Sequence, residues 1–199
     1  MGRIAILGWG SLIWDLERLA DGVEGGWAMG AGPAFPLEFS RVSAKRKQAL
    51  AVCIDARHGA ACPTHAIASR RAALAEAAAD LAARERAAPG RIGFAAADGT
   101  AAHGREPAVV RSVAAWCRAG GWAGAVWTDL EPNYAETLRR PFSVVDAAEY
   151  LADLGGESRD EAVRYIAQAP RATDTPLRRH LEAADWWRAE LRRLALAPF

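Results

Sequence analysis

The sequence predicts one α+β domain, with strands and a central helix first and a helical tail after them. Short apolar or alternating runs bounded by glycine and proline recur before Pro132, which is typical of strands. One long stretch with helical periodicity interrupts them, and beyond Pro132 the pattern is helical throughout. We therefore assign residues 1–132 to an α+β core and residues 133–199 to a helical extension packed on that core.

Composition limits the classes of function. The chain is 51% hydrophobic and 25% charged with a net charge of +1, which is globular usage and not a basic nucleic-acid surface. No apolar run is long enough for a signal peptide or a membrane span. We expect neither a nucleic-acid nor a membrane partner, and the sequence leaves a protein partner or homo-oligomer open.

The cysteines and histidines suggest a cytoplasmic protein that needs no metal. The three cysteines cannot all pair, and none forms a C-x-x-C motif, so we expect reduced thiols. The four histidines are scattered without metal-ligand spacing.

The elements of the core follow in chain order. Arg3–Leu7 is a short apolar run that predicts a buried strand. Glycine and proline make Gly22–Pro36 a predicted loop, and alternation makes Leu37–Val42 a half-buried strand. A charged turn connects that strand to the next one, Ala49–Ile54, so the two should form a hairpin. Further strands are predicted at Thr64–Ala68, Ile92–Ala96 and Gly124–Thr128, with helices at Arg70–Ala88 and from about Pro107 to Arg118.

Three helices are predicted in the tail. The first two span Val144–Leu154 and Ser158–Ala169, the second with a capping box formed by Ser158 and Glu161. The last helix opens at Thr175-Pro176, a cap followed by proline in the first turn. Its apolar stripe consists of Leu177, Leu181, Ala184, Leu191 and Leu194.

The segment after the first strand is a candidate binding loop, which we call the glycine loop: Gly8, Trp9, Gly10, Ser11 and Leu12. Glycines there allow positive φ and let a ligand approach the backbone. Successive N–H groups, with the Ser11 hydroxyl, can hold a carboxylate or a developing oxyanion. A tight turn with a packed tryptophan explains the same residues without a ligand. A dinucleotide fingerprint does not fit, because the third glycine is missing.

Glu85 is the candidate catalytic residue. The predicted buried stripe of its helix consists of Leu74, Ala78 and Leu81. Glu85 is the next position on that stripe, while Asp80 and Arg84 make an exposed pair on another face. Residues three and four positions away offer Glu85 no cation, so we expect burial to raise its pKa towards neutrality, as a general acid/base requires. Alternatively, the stripe ends at Leu81 and Glu85 reaches solvent.

Arg41 and Ser43 alternate with Val42 and share one strand face. If that face lines a binding site, the two side chains can bind a carboxylate. If it faces solvent, they have no special role.

Two of these segments resemble the γ-glutamylcyclotransferase-like proteins, in particular the ChaC-type branch. The stretch from Gly8 to Trp14 is similar to the family's Y-G-S-L-I-W loop, and 81–85 resembles its L-x-x-R-E helix, whose glutamate is catalytic. More loosely, 39–43 is similar to its arginine–serine strand. Trp9 stands where the family has tyrosine, the family's arginine–glycine–threonine–proline turn is replaced at 44–47, and the resemblance does not cover the tail.

The resemblance implies a mainly antiparallel, barrel-like core with flanking helices. It also implies that the enzyme cyclises a small γ-glutamyl amine or peptide to 5-oxoproline without a cofactor. Glu85 would move the protons, and the glycine loop would hold the glutamyl end. Two other interpretations stay open: a non-catalytic binding module on the same fold, and an amide-cleaving enzyme with a different product.

Overall fold

The computed structural model describes residues 2–196 and confirms a mixed α+β fold. The strands are β1 Ile4–Gly8, β2 Val23–Ala28, β3 Ala34–Ser43, β4 Ala49–Ile54, β5 Ala60–Pro63, β6 His65–Ser69, β7 Ile92–Ala96, β8 Ala102–His103 and β9 Gly124–Thr128. The α-helices are α1 Leu74–Glu85, α2 Pro107–Gly120, α3 Tyr134–Leu138, α4 Val144–Asp153, α5 Gly156–Gln168, α6 Pro176–Glu182 and α7 Asp185–Arg193.

The chain divides into two compact units. The first contains the described residues up to Phe35 together with Pro63–Leu130. The second contains Pro36–Cys62 together with the described residues from Glu131 onwards. The second unit thus combines the predicted helical extension with the hairpin that the sequence places in the core.

The first unit is built on a six-stranded mixed sheet in the order β2-β6-β1-β9-β7-β8. β1 lies at its centre, antiparallel to β6 and parallel to β9. One face carries a cluster of buried apolar side chains shared with α1, including Ile4, Ile6, Ile67, Leu81 and Val126. The apolar run of β1 is therefore a fully buried central strand, as predicted.

The predicted loop at Gly22–Pro36 is wrong. Val23–Ala28 forms an edge strand, β2, that pairs with β6, and β3 already begins at Ala34. The glycines of β2 do not prevent it from pairing with β6. The register of that pairing shifts between Glu24 and Ala28, and Gly25 has a φ of +75° within this stretch. Glycine marks a bulge in this strand instead of a loop.

The second unit contains a three-stranded sheet in the order β4-β3-β5. The predicted hairpin is confirmed, with Leu37 opposite Ile54 and Ser43 opposite Ala49. The prediction of a half-buried strand is wrong, because Glu38 and Ser40 are fully buried. A register shift between Glu38 and Arg41 inserts one extra residue into β3, so strict alternation does not describe it.

The tail is helical as predicted, but two details of the predictions are wrong. α5 begins at Gly156 with Gly155 as its cap, so Ser158 and Glu161 form no capping box. The last predicted helix is two helices, because Ala184 is extended and α7 starts anew at Asp185, whose charge suits a helix N-terminus. The Thr175 cap is confirmed, since its side chain accepts a hydrogen bond from the Arg178 N–H.

Both sheets of the described residues end in edge strands, and neither closes on itself. The barrel that the family resemblance implies stays a prediction. Within residues 2–196, every helix is too short or too polar to cross a membrane.

Glu38 is a buried carboxyl group in the second unit. Its Oε1 accepts a hydrogen bond from the Phe39 N–H at 2.8 Å, and its Oε2 accepts one from the Leu177 N–H at 3.2 Å. The Thr175 side chain also forms a hydrogen bond with the Glu38 carboxyl group. Burial outweighs these hydrogen bonds and raises the pKa of Glu38 to about 7.

Glu38 should make the protein less stable as the pH rises. Because its folded-state pKa lies above the ordinary value of 4.5, the folded state binds more protons than the unfolded state between pH 4.5 and 7. The free energy of unfolding should fall across that window by about 3 kcal/mol, and Glu38→Gln should flatten the fall. Urea unfolding at pH 5 and pH 8 measures both; Glu24→Gln, at an exposed position, is the control. Equal pH dependence in the wild type and Glu38→Gln would contradict the prediction.

Candidate functional site

The glycine loop continues β1 into a short 3₁₀ turn. Trp9 is extended, and Gly10 to Ile13 form the turn, which Gly10 enters at a φ of +57°. This positive φ is the conformation that the sequence assigns to a glycine here. The first N–H groups of a helical turn have no carbonyl partner within the turn itself.

Trp9 is a packed side chain. It is 7% exposed and meets Phe35 edge to face, with ring centroids 5.5 Å apart. The tryptophan in this turn is therefore packed, as one of the two interpretations predicts. The packing of its side chain does not exclude a ligand at the neighbouring backbone.

A side chain at position 8 would clash with the indole ring of Trp27. A Cβ built on Gly8 would lie 2.5 Å from Cη2 of Trp27 and 3.1 Å from Cδ2 of Leu12. The end of β1 is thus covered by Trp27, a residue that the sequence places in a loop.

α1 ends beside the segment that follows the glycine loop. Its first residue, Leu74, packs next to Gly124, which pairs with Ile4 at the start of β1. At the other end, Nη2 of Arg84 donates to the carbonyl oxygen of Asp15 at 2.5 Å. The carboxyl ends of α1 and β1 therefore lie at the same edge of the sheet.

Glu85 forms an ion pair with Arg84, so the prediction that it has no local cation is wrong. Nη1 of Arg84 lies 2.9 Å from Oε1 of Glu85, and the two side chains are 3% and 16% exposed. The predicted Asp80–Arg84 pair does not form, since Asp80 pairs with Arg71 at 2.7 Å. The buried charged position of α1 is Arg84, one residue before the one that the stripe predicts.

Arg41 and Ser43 belong to the second unit, whereas the glycine loop and Glu85 belong to the first. Both side chains are half-buried. Nη1 of Arg41 donates to the carbonyl oxygen of Glu131 at 2.6 Å and lies 3.5 Å from its Oε1. Arg41 thus has a partner within its own unit.

His65 is a candidate that the sequence analysis misses. It lies opposite Gly8 in the β1–β6 register and is 1% exposed. Its Nδ1 accepts a hydrogen bond from the Gly30 N–H at 2.7 Å, and burial lowers the pKa of the ring. Nε2 has no hydrogen-bond partner among residues 2–196. The signal in the sequence is a histidine two positions before Ile67, on the same strand face.

A cavity lies within the second unit. It has a volume of about 290 Å³ and is lined by residues that include Ser40, Asp55, His58, Tyr134 and Phe142. Oδ2 of Asp55 lies 3.1 Å from Nδ1 of His58. Burial raises the pKa of Asp55, but hydrogen bonds from Ser40 and His58 and the His58 charge more than offset it, so the net shift is downward.

Asp55 also stabilises the turn that follows it, because its Oδ1 accepts hydrogen bonds from the backbone N–H groups of Arg57 and His58. A turn-forming role therefore accounts for Asp55 without a ligand. Among residues 2–196, no three His, Cys, Asp or Glu side chains are grouped to hold a metal ion.

Searches of family models, curated proteins and solved structures found no match to this chain.

Proposed function

We propose that this protein is an enzyme of the γ-glutamylcyclotransferase type, which converts a small γ-glutamyl amine or peptide to 5-oxoproline. The observation that supports it best is the end of α1. Arg84 pairs there with Glu85 and donates a hydrogen bond to the carbonyl oxygen of Asp15, just after the glycine loop. The Glu85 carboxylate and the loop that most resembles the family therefore lie at one edge of the same sheet.

The reaction joins two atoms of one substrate molecule. The α-amine attacks the γ-carbonyl carbon, a carbon–nitrogen bond forms within the new ring, and the bond to the leaving nitrogen breaks. Glu85 takes one proton from the α-ammonium group and returns it to the leaving nitrogen. The second proton that the ring nitrogen loses passes to the released amine, which departs as an ammonium ion. Since both reacting groups belong to one molecule, the enzyme contributes mainly orientation and proton transfer, and the scheme needs no cofactor.

In this scheme the glycine loop binds the negative charge of the substrate. Its N–H groups at the start of the 3₁₀ turn are the donors for an oxygen of the glutamyl group. Trp9 shapes the loop through its contact with Phe35. The barrel-like arrangement of the family is part of the same proposal. So is a cytoplasmic location, which three buried cysteines that form no disulfide with one another favour.

Arg84 positions the proposed base. It bonds Oε1 of Glu85 through Nη1 and the Asp15 carbonyl through Nη2, so one buried guanidinium fixes the carboxylate relative to the segment after the loop. We assign proton transfer to the other oxygen, Oε2. The proposed site consists of residues of the first unit, and Arg41 and Ser43 belong to the second. Arg41 already forms an ion pair there with Glu131.

A non-catalytic binding module is the second candidate, and the Arg84–Glu85 ion pair is the observation that favours it. A carboxylate kept only for structure would be held in this way. The two candidates differ in turnover: a binding module retains a γ-glutamyl ligand unchanged.

Turnover of a panel of γ-glutamyl compounds tests the proposal. Purified protein is incubated with γ-glutamyl dipeptides and γ-glutamyl amines, and 5-oxoproline and the released amine are quantified by mass spectrometry. We expect at least one compound to give the two products in equal amounts, and the matched α-glutamyl dipeptides to give none. If no γ-glutamyl compound is consumed, or if free glutamate is the product, the proposal is wrong.

A further inference from the structure

The cavity of about 290 Å³ in the second unit has no part in the proposed function. Its wall is formed by β3, by the turn after β4 and by the segment 132–142. That segment supplies the apolar wall residues Pro132, Ala135, Pro141 and Phe142. An apolar cavity of about 150 Å³ is enough to hold benzene, so this cavity has room for one aromatic ring with a substituent.

Rings that contact one another form part of this wall. The ring centroid of Phe142 lies 5.2 Å from that of Tyr134, edge to face, and 4.9 Å from that of His58. All three residues line the cavity. A flat ring placed there can therefore make the edge and face contacts that aromatic molecules prefer.

Two polar side chains of the segment 132–142 already have protein partners. The Tyr134 hydroxyl donates to Oδ2 of Asp146 at 2.6 Å. The Asn133 side chain accepts from the Val42 N–H at 2.7 Å and donates to the Val42 carbonyl oxygen at 3.2 Å. Neither side chain is therefore the group that would select a ligand. The exposed wall residues Arg57 and Glu136 carry opposite charges, which favours a neutral molecule over an ion.

His58 can offer a ligand its second ring nitrogen. Its Nδ1 lies 3.1 Å from Oδ2 of Asp55. Burial raises the pKa of Asp55, but hydrogen bonds from Ser40 and His58 lower it further, so this carboxylate is ionised at neutral pH and can only accept. In the neutral ring the proton is therefore on Nδ1, and Nε2 has a lone pair that can accept a hydrogen bond.

We propose that this cavity binds a small neutral aromatic molecule with a hydroxyl group, a phenol or an aryl alcohol, whose O–H donates to Nε2 of His58. Asp55 is the positioning residue. Its Oδ1 stabilises the turn through the N–H groups of Arg57 and His58, whereas its Oδ2 orients the imidazole ring and keeps Nε2 unprotonated. The turn accounts for the first oxygen, and the ligand site accounts for the second.

Titration of ¹⁵N-labelled protein with phenol at pH 8 tests the inference. Anisole, in which a methyl group replaces the hydroxyl proton, and benzoate, an anion, are the matched ligands. We expect phenol to bind about fivefold to tenfold more tightly than anisole. We also expect it to move the Nε2 signal of His58, which His58→Phe identifies in ¹H–¹⁵N correlation spectra of the imidazole rings. No binding of phenol, an unmoved Nε2 signal, equal affinities for phenol and anisole, or tighter binding of benzoate would overturn the inference.

Variants separate the hydrogen bond from the packing of the ring. His58→Phe keeps an aromatic ring beside Phe142 but loses Nε2, so phenol and anisole should bind it equally. His103→Phe, at an exposed position of the first unit, is the control and should keep the preference for phenol. Circular dichroism shows whether each variant is folded. A folded His58→Phe protein with the wild-type preference would overturn the inference.

Asp55→Asn tests the role of the aspartate. The amide oxygen can still accept from the turn, but the amide nitrogen donates to Nδ1 of His58, so the ring proton moves to Nε2. We expect the preference for phenol over anisole to fall towards equality, and an unchanged preference would contradict the positioning role. These measurements need no γ-glutamyl compound and no turnover, so their outcome is independent of the proposed function.

Discussion

Glu85→Gln is expected to slow 5-oxoproline formation by roughly 10²- to 10⁴-fold, the usual contribution of a general acid/base. Glutamine keeps an oxygen that can accept the hydrogen bond from Nη1 of Arg84, so the end of α1 should remain in place. The variant cannot take the proton from the α-ammonium group. The rate is measured on whichever γ-glutamyl compound the wild type converts.

A neighbouring glutamate provides the control. Glu76 lies in the first turn of the same helix and is exposed, so Glu76→Gln should leave the rate unchanged. Circular dichroism and the urea midpoint of Glu85→Gln show whether the fold persists. A folded Glu85→Gln protein with the wild-type rate would show that Glu85 is not the acid/base.

Arg178→Met is expected to lower the free energy of unfolding by about 3–5 kcal/mol, because it leaves several buried carbonyl groups without a donor. Arg178 is 2% exposed. Its Nη1 donates to Pro170 at 2.6 Å and Thr173 at 3.2 Å, and its Nη2 donates to Ala169 at 2.9 Å. Burial lowers the pKa of this guanidinium to about 10, so it stays charged at neutral pH.

The next residue in the chain is a matched control for this arginine. Arg179 has a side chain that is 52% exposed and pairs with Asp174 at 3.0 Å. Arg179→Met should change the free energy of unfolding by at most about 1 kcal/mol, as for other surface ion pairs. Urea unfolding at pH 7 measures both variants, and similar losses in the two would contradict the structural role of Arg178.

Much of the fold could be predicted from local pattern. β4, β7 and β9 match their predicted bounds, because each is a short apolar run between clear turn residues. β2 could not be predicted, since its pairing with β6 overrides two glycines in its sequence. The grouping of Pro36–Cys62 with the C-terminal helices depends on long-range packing, which no local pattern reports.

The candidate site could be predicted only in part. The positive φ of Gly10 follows from the glycine itself. The apolar stripe of α1 predicts a buried charge at Glu85, whereas the more buried charged residue is Arg84. The predicted helix face is therefore one residue out of register with the observed one. His65 becomes a candidate only once the pairing of β1 with β6 places it opposite Gly8, and that pairing joins residues far apart in the chain.

The most direct test of the proposed cyclisation is the reaction in H₂¹⁸O. In ring closure the α-amine of the substrate is the nucleophile, so 5-oxoproline should form without any ¹⁸O and the released amine should appear in equal amount. In hydrolysis water is the nucleophile, and the product would be free glutamate with one ¹⁸O in its γ-carboxyl group. Unlabelled 5-oxoproline, lost in Glu85→Gln, is the result that we predict; labelled glutamate would contradict it.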